Sequence, residues 1–74
     1  MERYINSGGN SGVSAYEIGT DYIIVVFIGK PKAYKYSYGG GAGSYHVENL
    51  KKLAKNGSGL NAYINKHVKN LYDK

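Results

Sequence analysis

The feature that most constrains this chain is the run Tyr22-Ile23-Ile24-Val25-Val26-Phe27-Ile28, seven consecutive β-branched or aromatic residues. Such residues lose χ1 freedom in a helix and pack well on a pleated surface, so the run reads as a strand. Turn signals bound it on both sides, Gly19-Thr20-Asp21 before and Gly29-Lys30-Pro31 after. A strand apolar on both faces belongs inside a sheet, with either Ile24 and Val26 or Ile23, Val25 and Phe27 turned toward a core. Whichever set faces away needs a cover, from the N-terminal segment or a second copy of the chain.

The neighbouring segments complete a meander. Val13 to Ile18 reads as a strand of weak alternation, and Lys32 to Tyr38 as one of clean alternation, with Tyr34, Tyr36 and Tyr38 on one face and Ala33, Lys35 and Ser37 on the other. Pro31 marks the start of that third strand, because proline donates nothing to a ladder. Glu2 to Ile5 suits a short edge strand, and residues 7–12, Ser-Gly-Gly-Asn-Ser-Gly, suit a flexible loop.

Beyond the glycine run Gly39 to Gly43 the period changes. Val47, Leu50, Leu53 and Ala54 fall at helical spacing; Ser44 is the expected N-cap, Glu48 the first-turn acid, and Asn56-Gly57 the stop. After Ser58-Gly59, Leu60, Ile64, Val68 and Leu71 recur near 3.6 residues, with Tyr63 and Tyr72 flanking the stripe. The expected fold is α+β: a three-stranded antiparallel meander, with a short N-terminal edge strand added, followed by two α-helices on one face.

Seventy-four residues allow one domain, residues 1–74, and a chain of this size buries only about 60% of its unfolded surface. It has no cysteine, which removes disulfides and thiolate metal sites together and makes the cytoplasm the expected location. Met1 to Asn10 has no apolar core of the signal-peptide kind, and no run approaches a membrane span.

The motif order resembles a known family. Arg3-Tyr4-Ile5-Asn6-Ser7 is similar to its opening, and Ile18-Gly19-Thr20-Asp21 to its Ile-Gly-Tyr-Asp turn. Phe27-Ile28-Gly29 is similar to its strand end, Tyr34-Lys35-Tyr36 to its Tyr-x-Tyr centre, and Tyr63-Ile64-Asn65-Lys66-His67-Val68-Lys69 to its closing motif. The family is the KTSC domain, found at the C-terminus of some lysyl-tRNA synthetases and as stand-alone bacterial or phage proteins. Gly39 to Gly43 stands where that family usually carries Val-Pro. The resemblance implies RNA binding, through the company the family keeps, and structural roles for Gly19, Asp21, Tyr34, Tyr36, Tyr63 and Asn65. Asn65 is expected to bond to backbone.

The charge is uneven as well as positive. Residues 1–29 sum to −2, whereas residues 30–74 hold nine lysines against Glu48 and Asp73, for +7. A localised basic region implies an acidic partner, RNA or other nucleic acid, through Lys30, Lys32, Lys35, Lys51, Lys52, Lys55, Lys66 and Lys69. The same lysines can equally solvate an exposed face. The tyrosine row can stack bases or pack under the helices. Burial is the expectation, since Val47, Leu50, Leu53, Ile64 and Val68 need an apolar partner, and it leaves the basic helical surface as the ligand face.

Other chemistry finds little support. Gly39 to Ser44 runs from strand into helix, where backbone N–H groups can meet an anion, yet no lysine precedes Ser44 as a P-loop requires. His46 and His67 supply at most half of a four-ligand zinc site. Five scattered acids offer no acid–base pair. The expectation is a binding module with no catalytic residues, no cofactor, no metal and no membrane partner. The alternative is a protein-interaction or self-associating module.

Overall fold

In the computed structural model, which describes residues 2–4, 12–30 and 32–73, the apolar run becomes the inner strand β3 (Tyr22–Phe27). β1 (Glu2–Arg3), β2 (Val13–Ile18) and β4 (Ala33–Ser37) complete an antiparallel sheet in the order β1-β2-β3-β4, four strands among the described residues. The meander and its edge strand are as expected. The expectations for residues 5–11 and for Pro31 lie outside the described residues.

Register decides which face is the core. Ile23 lies opposite Tyr36 and Ile18, and Val25 opposite Tyr34 and Tyr16. Directly opposed residues share a face, so these six turn the same way, and Ile23, Val25 and Tyr36 are almost wholly buried. An extra residue between Val13 and Ala15 bulges β2 and restores Val13 to the core side opposite Phe27. The remaining face carries Ile24 between Glu17 and Lys35. Its partial cover comes from the chain's own side chains. Tyr22 donates to Glu17 at 3.2 Å, and the Lys35 ammonium lies 4.8 Å from the Tyr22 ring centre. Tyr22 also explains Gly19, since a Cβ there would stand 2.0 Å from its ring.

Two helical elements close the core side. α1 (Gly43–Asn56) buries Val47, Leu50 and Ala54 and ends at Gly57, whose φ of 80° lets its N–H donate to the Leu53 and Ala54 carbonyls. α2 (Leu60–Tyr63) runs directly into one wider, π-type turn over Ile64–Val68. Leu60, Ile64 and Val68 join the same cluster as Tyr4, Val13, Tyr16 and Tyr36. The Leu60 N–H donates to the buried Tyr4 hydroxyl at 3.3 Å, tying the first strand to the second helix.

Three local expectations are corrected. α1 starts at Gly43 with Ala42 before it and no side-chain cap; buried Ala42 fixes the chain's entry, and Ser44 is exposed. No acid sits in the first turn, and Glu48 faces Tyr38 and Lys51 instead. The second helical segment stops at Val68, and Leu71 to Asp73 fold back on the sheet. There the Asp73 N–H donates to the Lys35 carbonyl at 2.6 Å, occupying part of the β4 edge. Ser37 donates to the Asp73 carboxylate at 2.7 Å. The glycine run makes room for this return. A Cβ on Gly40 would lie 2.0 Å from Asp73 Oδ1, and Gly41 packs against Leu71.

Candidate functional site

The return of the C-terminal segment creates a groove of about 390 Å³ at the Phe27 end of the sheet. β3 contributes Phe27, β4 contributes Tyr34 and Tyr36, the π-type turn contributes Ile64 and Asn65, and the last residues contribute Tyr72. Phe27, Tyr34 and Tyr72 pack edge to face, with ring centres 5.5 and 4.8 Å apart. Lys32 lies over the Tyr34 and Tyr72 rings at 5.5 and 5.2 Å. Lys30 and Lys69 stand at the rim, and the amides of Asn61, Asn65 and Asn70 line the opening; no carboxylate lines it among the described residues.

The tyrosine row divides along its length. Tyr36 is 1% exposed and belongs to the core, as expected; Tyr34 is half-buried and forms a groove wall, and Tyr38 is 40% exposed. Burial, and then the neighbouring Tyr34 and Tyr72 hydroxyls, push the Tyr36 pKa up to about 12. The row is therefore no flat stacking platform.

The eight lysines do not share a surface. Lys30, Lys32 and Lys69 gather at the groove, while Lys35 caps Tyr22 on the opposite sheet face. Lys51 is tied down at the far end of β4. It lies 3.0 Å from Glu48, donates to the Thr20 carbonyl at 3.0 Å, and sits 5.4 Å from the Tyr38 ring centre. The Tyr38 hydroxyl donates to the same Glu48 carboxylate. That hydrogen bond, followed by the one from Lys51, holds the Glu48 carboxyl below its usual range. Lys52 and Lys55 border a shallow depression with Leu53 and Asn56, and Lys66 is exposed on the π-type turn.

The residues matching the resemblance take varied places. Gly19 and Asp21 shape the β2–β3 turn, where the Asp21 carbonyl accepts from the Tyr38 N–H at 2.9 Å. Asn65 is exposed at the groove, and its side chain makes no hydrogen bond among the described residues, so the side-chain bond to backbone expected for it is not formed there. Tyr63 leads to an arrangement that spacing did not reveal. Its hydroxyl is hydrogen-bonded to His46 Nδ1 at 2.6 Å and accepts from the Asn49 amide at 3.3 Å. His67 stacks on His46, ring centres 5.7 Å apart. These two imidazoles offer two donors; no group of three His, Cys, Asp or Glu side chains that could hold a metal ion occurs among the described residues. Among the described residues no helix is long and apolar enough to cross a membrane.

Comparison with family models, with curated proteins and with solved structures finds no match for the chain.

Proposed function

We propose that this chain is a small non-enzymatic binding module for single-stranded nucleic acid, RNA first, acting in the cytoplasm and related to the KTSC domain. One observation carries the reading. Phe27, Tyr34 and Tyr72 converge with Lys30, Lys32 and Lys69 around a groove whose described lining contains no acid. Single-stranded nucleic acid is held by cations that meet phosphates and by aromatic rings that meet bases. The +7 balance of residues 30–74 supports the same reading from the sequence side.

The test is fluorescence anisotropy with a labelled single-stranded RNA, a stem-loop and a single-stranded DNA at two salt concentrations. Binding that weakens with salt and prefers single strands is expected. A flat titration at low salt removes the reading.

A second reading, self-association or a protein partner, is favoured by a specific feature: Ile28 is 62% exposed at the end of β3, and Ile24 and Val26 on the outer sheet face are only half-buried. Sedimentation over a wide concentration range tests it, and a monomer throughout excludes self-association.

A further inference from the structure

We propose that the groove receives one unpaired base of the bound strand, with the Asn61, Asn65 and Asn70 amides reading its edge and Lys30 and Lys69 holding the flanking phosphates. This rests on the nucleic-acid reading above and goes beyond it, because it gives the module a base-sensing pocket rather than a merely basic surface.

Size comes first. About 390 Å³ lies near the lower end of the roughly 300–1,000 Å³ of small-molecule sites, which suits one heterocycle with its sugar and not a duplex or a folded partner. The walls match a planar guest. Tyr34 stands at 71° to Phe27 and Tyr72 at 76° to Tyr34, so a flat ring parallel to one of them is edge-on to its neighbour, and both geometries are favourable between π-systems. Tyr36 lines the groove as well, and its hydroxyl, protonated near neutral pH like that of any tyrosine, is a donor.

The polar groups match a base rather than any flat apolar guest. Each asparagine amide carries donors and an acceptor, as base edges do, and none of the three has a hydrogen bond among the described residues, so a ligand meets them without breaking internal bonds. The wider turn over Ile64–Val68 lies at this wall, with Asn61 just before it, Asn65 within it and Lys69 and Asn70 just after. π-type turns are rare and are often found at functional sites. The charge at the rim completes the match, since lysines without an intervening carboxylate favour an anionic backbone at the mouth.

The experiment separates base from backbone. Two labelled RNA strands of about ten nucleotides, a length within the span of small single-strand sites, are compared at equal salt: one of mixed sequence, the other wholly abasic. The intact strand should bind about tenfold more tightly, a modest value for one stacked and hydrogen-bonded base. Asn61→Ala with Asn65→Ala, neither residue being part of the core, should bring the intact strand part of the way toward the abasic one, the stacking on the rings remaining, and leave the abasic one unchanged. Tyr45→Ala, on an aromatic ring 75% exposed and away from the groove lining, should preserve the difference. If both strands bind equally and salt-dependently, the pocket is overturned while nucleic-acid binding stands. If neither binds at low salt, both fall. If the double asparagine variant keeps the full difference, the base is read elsewhere and the pocket is overturned.

Discussion

The two ends of β4 are built from the same residue types and differ in one respect. At the Tyr38 end, Lys51 approaches a tyrosine ring, a carbonyl and the Glu48 carboxylate, and Tyr38 donates to that carboxylate as well. At the Tyr34 end, Lys32 approaches two tyrosine rings, Lys30 and Lys69 stand nearby, and no acid lines the space among the described residues. Lysine beside tyrosine is therefore not in itself a binding site. A carboxylate within reach closes the arrangement on itself, and its absence leaves positive charge and aromatic surface open to an anion.

The largest expected effect lies beneath both ends. Tyr36→Ala removes a ring that is 1% exposed and should cost about 3–5 kcal/mol in chemical denaturation. Both ends would lose their floor together, so a variant of unaltered stability would show that the row does not hold the sheet to the helices.

Gly40→Ala should act on one end only. The new Cβ would displace the Asp73 carboxylate from its place beside Ser37, with an expected loss of about 1–3 kcal/mol. Because Asp73 anchors the segment that carries Tyr72 to the edge of β4, the groove should weaken while the Tyr38 end keeps its contacts. Adding Asp73→Gly should cost little beyond Gly40→Ala alone, because both changes remove the same contact; strictly additive effects in the double variant would mean that the two positions do not meet.

Charge reversal compares the ends directly. Lys30→Glu with Lys69→Glu should weaken RNA binding at least about tenfold, a change of about 1.4 kcal/mol, and flatten its salt dependence. Lys51→Gln should change affinity by less than about twofold, since its charge is already engaged by Glu48. Equal losses from both, measured by anisotropy, would erase the distinction between the ends.

The smallest effect concerns acid. The Glu48 carboxyl lies below its ordinary 4.5 in the folded chain, so its contribution to stability is complete above that value and is lost as pH falls through the lower, folded one. Glu48→Gln should remove that part of the acid dependence, lying slightly below the parent in stability near neutral pH and converging with it in acid. A variant as acid-sensitive as the parent below pH about 4.5 would show that the Tyr38 end is not closed by this carboxylate.

Much of the fold was legible because its determinants are local. The apolar run 22–28, the alternation of 33–37, and the stop at Gly57 each follow from a few adjacent side chains, and the burial of Tyr36 follows from helix stripes that need an apolar partner. Ser44 and Glu48 read less well, because buried Ala42 sets the entry of α1 and Tyr38 sets the place of Glu48. Both are contacts across the fold that no local pattern encodes.

The candidate site shows the same division more sharply. The sequence alone shows that every lysine lies at residue 30 or beyond, and an acidic partner is an expectation drawn from that. It could not sort eight lysines into those engaged and those open, because that depends on Glu48, Tyr22 and Tyr72, residues three to forty positions away in the chain. Nor could it bring His46 beside His67, or Asp73 beside Gly40. Periodicity reports which face of an element is apolar. Only the docking of those faces decides which side chains meet at their margins, and it is at the margins that the groove forms.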